Sequence, residues 1–100
     1  MTAVAIIVNH RTKPGQREAA MAVWMAHMPE AVSAHPGHLA YFYTADCDDP
    51  DVIRAFQLYE SQEAADAFLA DPIYRAYVVA AEPYLAGPPI VTRSVLAWHK

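Results

Sequence analysis

The sequence predicts a single α+β domain, residues 1–100, whose elements follow in the order β, α, β, β, α, β. Three observations predict it: four short runs of β-branched or aromatic residues, apolar residues at helical spacing between them, and turns built from proline, glycine and aspartate. Apolar residues make up 55% of the chain and charged residues 18%, a balance that excludes intrinsic disorder.

The first strand and the first helix occupy the N-terminal third. Residues 4–8 form a β-branched run, which Lys13-Pro14-Gly15 ends. The following helix carries apolar side chains at spacings of four, three and four residues: Met21, Met25, Met28 and Val32. Pro29 lies inside this pattern, so we expect a kink or a short second segment over residues 29–34.

Residues 39–44 and 52–59 read as two strands of an antiparallel hairpin. Leu39, Tyr41 and Tyr43 alternate with residues of the other face. The acidic stretch at residues 46–51 is the connecting loop, and it lacks the spacing and the terminal glutamate of a calcium loop. Cys47 has no second cysteine to pair with.

Two cap signals open the C-terminal helices. Ser61 is the predicted N-cap of a short helix, and Asp71 followed by Pro72 is the N-cap of the next. The apolar residues of that next helix fall at helical spacing: Tyr74, Tyr77, Val78, Ala81 and Leu85. Gly87-Pro88-Pro89 ends it, and residues 90–98 form the last predicted strand.

This order describes a ferredoxin-like βαββαβ sandwich, with helices on one face of a four-stranded antiparallel sheet. The strands are apolar on both faces, so the second face would expose a patch larger than monomers normally tolerate. We therefore expect a homodimer that forms through the sheet face.

Charge and hydropathy exclude two classes of partner. The formal net charge is −4 and the chain has two lysines, Lys13 and Lys100, so no basic surface for nucleic acid or for an anionic membrane is expected. No apolar run is long enough to span a bilayer, and residues 1–8 lack the features of a signal peptide. These observations predict a cytoplasmic protein.

Turn and cap motifs occur in an order that resembles one family over nearly the whole chain: Lys13-Pro14-Gly15, Pro36-Gly37, Tyr59-Glu60-Ser61, residues 64–69 before Asp71-Pro72, and Gly87-Pro88. The sequence is similar to the antibiotic biosynthesis monooxygenase superfamily. The resemblance implies a dimeric α/β barrel with a small-molecule cavity between the sheet and the helices of each subunit. It also implies oxidation of quinols or polyketide-type phenols by dioxygen without a cofactor.

The chain departs from the family at four functional positions. Phe68 and Ile73 stand where many members have histidines, and Ala55 and Tyr59 stand where the quinone-forming members have an asparagine and a tryptophan. We find no flavin, nicotinamide or metal motif, so no cofactor is expected and the substrate itself would be the reductant.

Asn9 and Arg93, on the first and last strands, are the predicted catalytic residues that would stabilise an oxyanion. The alternatives are a strand-end role for Asn9 and a surface ion pair for Arg93. A set of aromatic residues is predicted to line the substrate pocket, although ordinary core packing would also explain them: Trp24, Tyr41, Tyr43, Tyr59, Phe68, Tyr74 and Tyr77.

No histidine has a carboxylate or cysteine at metal-ligand spacing, so no metal site is predicted. His10 and His38 are the histidines that could act as a general base, although we expect both to be solvated at the surface.

Three functions remain open. The first is a cofactor-independent monooxygenase that acts on a small aromatic quinol or a polyketide-type phenol. The second is an isomerase or decomposing enzyme for a small oxygenated metabolite, and the third is a non-catalytic dimeric protein that binds a small ligand.

Overall fold

Residues 2–100, which the computed structural model describes, form one antiparallel sheet with helices on one of its faces. The strands are β1 Val4–Arg11, β2 His38–Ala45, β3 Val52–Tyr59 and β4 Ile90–Val95. The helices are α1 Arg17–Ala34, α2 Gln62–Leu69 and α3 Pro72–Ala81, followed by a 3-10 turn, Glu82–Tyr84. The strand order β2-β3-β1-β4 is that of the predicted ferredoxin-like α+β fold, which is confirmed.

The two C-terminal helices begin at the predicted caps. The Ser61 hydroxyl accepts a hydrogen bond from the backbone N–H of Ala64 at 3.1 Å, and the Asp71 carboxylate accepts one from Ile73 at 2.7 Å. Each cap satisfies a backbone donor that the first helical turn leaves free. Pro72 occupies the first turn of α3, where its missing N–H has no effect on the helix.

Helix α1 differs from its prediction in two respects. Its buried face consists of Ala20, Trp24, Met28 and Ala31, whereas Met25 is 58% exposed. Apolar residues lie on nearly all sides of α1, so their spacing did not select the buried side. The helix also continues through Pro29, and the predicted second segment is wrong. Pro29 is exposed, so water can reach the Met25 carbonyl that it leaves unbonded.

Strand β4 is shorter than predicted and ends at Val95 instead of residue 98. The Leu96 N–H still bonds the Ala3 carbonyl at 3.0 Å, but β1 begins at Val4 and offers nothing for later residues to pair with. The residue pattern of one strand does not show where the neighbouring strand ends, so the length of β4 could not be predicted from residues 90–98 alone.

Arg17 and two ion pairs fix the acidic loop between β2 and β3. The Arg17 guanidinium donates to the backbone carbonyls of Asp46, at 3.0 Å, and Asp49, at 2.9 Å. Asp46 also pairs with Arg54, and Asp49 pairs with Arg11 at 2.8 Å. Arginines and backbone amides thus already bind these carboxylates, which supports the interpretation of the segment as a hairpin loop.

The sheet face opposite the helices is apolar and uncovered in the single chain. Phe42, Phe56 and Ile7 lie side by side across β2, β3 and β1, and Phe42 is 64% exposed. A register shift between His38 and Ala40 brings Leu39, which was predicted on the face of Tyr41, to this surface. Within residues 2–100 we find no helix with the length and apolar character needed to cross a bilayer.

We predict that Gly37→Ala destabilises the protein. A Cβ atom at Gly37 would lie 2.5 Å from Cβ of Ala64 and 2.9 Å from Cε1 of His35, so the turn would have to move away from α2. We expect the free energy of unfolding to fall by about 1–3 kcal/mol in urea denaturation. Gly87→Ala is the matched control, because the added methyl group would meet no atom beyond its chain neighbours within 4 Å. Equal stability of the two variants would contradict the packing argument.

Candidate active site

A largely enclosed cavity of about 240 Å³ lies between the sheet and the helices. Val8 and Val91 contribute to its sheet wall, and Ala65, Leu69 and Tyr74 contribute to its helical wall. A narrow side chamber of about 30 Å³ continues toward α1 and β2. Four side chains with polar groups line the main cavity, namely His10, Gln57, Tyr59 and Tyr74.

Six of the seven aromatic residues predicted for a pocket line these two spaces. Tyr59 and Tyr74 line the cavity, and the side chamber is lined by Trp24, Tyr41, Tyr43, Tyr74 and Tyr77. The rings of Trp24 and Tyr43 stack with their centroids 4.0 Å apart. The seventh, Phe68, packs behind the wall, with its ring centroid 5.4 Å from that of Tyr74.

Burial keeps the tyrosine hydroxyls of this region protonated. It raises the pKa of Tyr77 to about 12 and raises the pKa of the others as well: Tyr41, Tyr43, Tyr59 and Tyr74. At neutral pH these side chains are therefore hydrogen-bond donors and apolar walls, and none of them is a base.

His10 faces the cavity, so the expectation of a solvated surface side chain is wrong. It follows Val4, Ile6 and Val8 on the helix-facing side of β1, since β1 continues to Arg11. Its Nδ1 atom is buried and has no hydrogen-bond partner among the described residues. Burial lowers the pKa of His10, so the ring is neutral at pH 7 and offers a lone pair as a proton acceptor. The alternation of inward and outward side chains along β1, continued by two residues beyond Val8, would have indicated that His10 faces the helices.

His38 is the second histidine that the structure places inside. Its ring centroid lies 4.3 Å from that of Tyr59 and 4.5 Å from that of Phe68, and both ring nitrogens are buried without a partner among residues 2–100. Burial, together with the neighbouring His35 ring, lowers the pKa of His38 to about 4. The expectation of surface solvation is therefore wrong for His38 as well.

Gln57 is a site residue that the sequence pattern did not single out. It lies in the middle of β3, paired with Ile6 on one side and Tyr41 on the other, and it lines both the cavity and the side chamber. The hydroxyl of Tyr59 donates a hydrogen bond to its Oε1 atom. Its position between Ala55 and Tyr59, on the same face of the strand, is the signal that would have indicated it.

Asn9 and Arg93 lie on neighbouring strands as expected, but the register does not bring them together. Asn9 pairs with Ile90, whereas Arg93 pairs with Ile6, so their side chains lie on opposite faces of the sheet. Arg93 is exposed and contacts Gln62 at 3.4 Å beside the start of α2. Neither residue lines the aromatic cavity.

Comparison with known proteins identifies the family. A family model described as antibiotic biosynthesis monooxygenase matches residues 3–80. The chain belongs to the antibiotic biosynthesis monooxygenase family. Among curated proteins, no match to this chain is found.

Solved structures are similar to this monooxygenase-family chain over almost its full length. A proposed antibiotic biosynthesis monooxygenase from Chloroflexus aurantiacus is 28% identical, with a TM-score of 0.82 over 98% of this chain and 96% of its own. A protein of unknown function from Nitrosomonas europaea is 29% identical, with a TM-score of 0.83 over 100% of this chain and 94% of its own. A protein from Caulobacter crescentus has a TM-score of 0.90 over 97% of this chain and 92% of its own. It is 18% identical in sequence, so this similarity concerns the fold alone.

The four positions at which this chain departs from the family pattern lie in different parts of the structure. Ala55 and Tyr59, which replace the asparagine and tryptophan, both line the helix–sheet space. Phe68 is buried in the core, and Ile73 is exposed on α3. Of these four positions only Tyr59 brings a polar group to the main cavity, and His10, Gln57 and Tyr74 bring the others.

We predict that this family member loses stability as the pH falls from about 6.5 to about 4. The pKa of His38 is 6.5 in the unfolded chain and about 4 in the folded protein, so in this window the unfolded state binds more protons. The lowered pKa of His10 acts in the same direction. Urea denaturation at a series of pH values measures the loss. In His38→Phe it should be smaller by on the order of 1–2 kcal/mol, allowing for partial solvent screening of the ring. Parallel pH profiles for the two proteins would contradict this.

Proposed function

We propose that the protein is a cofactor-independent monooxygenase that oxidises a small aromatic quinol with dioxygen. One observation carries the proposal: the side chain of His10, which burial keeps neutral at pH 7, lines a largely enclosed cavity between the sheet and the helices. Apolar walls with a few polar groups are typical of sites for flat aromatic molecules. Membership of the antibiotic biosynthesis monooxygenase family supports the type of reaction.

The size of the cavity favours a substrate of one or two rings. An engineered apolar cavity of about 150 Å³ holds benzene. A cavity of about 240 Å³ therefore has room for a substituted ring or for two fused rings, and less than a multi-ring polyketide would need. Between the two substrate types that the sequence left open, the structure thus favours the small quinol.

The reaction needs a base and an apolar surrounding, and the cavity has His10 and mostly apolar walls. His10 accepts the proton of one phenolic hydroxyl, and the resulting phenolate ring is electron-rich enough to reduce dioxygen. One oxygen atom enters the ring and the other leaves as water, so that a hydroquinone becomes a hydroxyquinone. The ring loses four electrons, which dioxygen takes up, so no external reductant is needed. The apolar and aromatic walls would limit the access of bulk water to the intermediates.

We predict oxygen-dependent turnover of benzene- and naphthalene-type hydroquinones, followed by the absorbance of the hydroxyquinone product. Loss of the base in His10→Phe should reduce the rate, corrected for autoxidation, by about 10²-fold or more. His27→Gln is the matched control, because His27 lies on α1, contacts the Val23 carbonyl at 2.9 Å and lines neither space.

Three results would overturn the monooxygenase proposal. Turnover that proceeds equally well without dioxygen would indicate the isomerase. Binding of quinols without any reaction would indicate the ligand-binding protein. A rate in His10→Phe equal to that of the wild type would remove the proposed base.

The proposed functional unit is a homodimer that forms through the open sheet face. A row formed by Phe42, Phe56 and Ile7 crosses this face, and a second copy would bury it against an identical row. An isologous contact of this kind also leaves the helix-covered cavity of each subunit accessible.

We predict that the protein sediments with the mass of two chains at micromolar concentration and that Phe42→Glu sediments with the mass of one. A carboxylate at this exposed position disturbs the single chain little but would be buried unpaired in the dimer. Val79→Glu is the control, since Val79 is 72% exposed on α3, on the other side of the molecule. Wild-type protein that sediments as a monomer would contradict the dimer.

A further inference from the structure

We infer that the side-chain amide of Gln57, held in place by Tyr59, is a substrate-binding donor that stabilises the phenolate form of the substrate. The inference rests on the proposed function for its substrate, and it assigns a role to two residues that the proton transfer to His10 does not use. Gln57 would be a catalytic residue and Tyr59 a positioning residue.

Gln57 shares both spaces of the site with His10. Both side chains line the main cavity and the side chamber, as Tyr74 does, and they come from adjacent strands, β3 and β1. Around them the walls are apolar or aromatic. A ligand in the cavity therefore meets the amide of Gln57 and the imidazole of His10 together with the hydroxyl-bearing rings of Tyr59 and Tyr74.

Tyr59 determines which end of the Gln57 amide is free. Tyr59 is 2% exposed, and its hydroxyl donates to Oε1 of Gln57. The carbonyl oxygen of the amide is thus engaged. The Gln57 side chain also lies within hydrogen-bonding reach of His38. Because Nε2 carries two N–H groups and Gln57 lines the cavity, a donor is left for a ligand there.

The two groups are chemically complementary to a quinol. The neutral His10 imidazole can accept a proton, and the Gln57 amide can donate a hydrogen bond, so the cavity matches a molecule that presents a hydroxyl and an oxyanion. When His10 takes the phenolic proton, negative charge develops on the substrate oxygen. A hydrogen bond to a charged oxygen in a buried site is stronger than one to a neutral oxygen, so the amide favours the phenolate over the phenol.

A spectroscopic experiment with 4-nitrophenol tests this inference without dioxygen and without turnover. Its phenolate absorbs visible light, so titration with saturating protein reports the pKa of the bound phenol. Gln57→Leu removes the donor, and we expect it to bind the phenolate about tenfold or more weakly, which raises the bound pKa by about one unit. Gln57→Glu keeps the size but replaces the donor by a carboxylate, and we expect a larger loss.

Two controls separate this role from a structural one. Nitrobenzene has the same ring without the ionisable hydroxyl, and its affinity should not change in Gln57→Leu. Tyr59→Phe, which leaves Gln57 unanchored, should weaken phenolate binding in the wild-type background but have no further effect in the Gln57→Leu background.

The inference is overturned if the bound pKa is the same in Gln57→Leu as in the wild type, or if nitrobenzene affinity falls equally. It is also overturned if the wild-type protein binds no 4-nitrophenol at millimolar concentration. Its failure is distinguishable from that of the monooxygenase proposal, which depends on oxygen-dependent turnover. A bound-pKa shift without quinol oxidation would support the donor role and reject the oxygenase.

Discussion

The antiparallel register between β1 and β3 is the constraint on which the rest of the structure depends. These are the two central strands of the sheet, and their pairing sets Ile6 opposite Gln57 and Val4 opposite Tyr59 on the face that the helices cover. Because successive side chains of a strand alternate between faces, a shift of one residue would exchange every inward group for an outward one. In the same register, Asn9 lies on the open face of the sheet, opposite the helices.

The interior that this register creates contains polar groups in an aromatic environment. Rings of tyrosine, phenylalanine and histidine surround His38, and burial keeps the imidazoles of His10 and His38 uncharged at neutral pH. Buried polar atoms without hydrogen-bond partners lower stability, and each needs an explanation such as a bound water or a chemical role. The presence of His10 and Gln57 in one cavity is the feature on which a chemical role for the cavity depends.

The apolar fraction of 55% is high for a chain of this length, and the structure divides it among three places. Some of it forms the core around Trp24 and Met28, and some forms the cavity walls. The remainder lies on the open sheet face, where Phe42 and Leu39 are exposed. A core alone would not need the third group, so the composition and the fold together favour a second copy as the functional partner.

The sequence by itself determined the element order, the helix caps at Ser61 and Asp71, the hairpin, and the aromatic character of the site, because these depend on short-range pattern and turn chemistry. Only the tertiary structure decided that Trp24, and not Met25, lies on the buried side of α1, that β4 ends at Val95, and that His10 and Gln57 line one cavity whereas Asn9 and Arg93 do not. The physical reason is that these outcomes depend on strand register, on the length of the neighbouring strand and on which side of α1 packs against the sheet. Each is a property of a pair of segments, and neither segment encodes it alone.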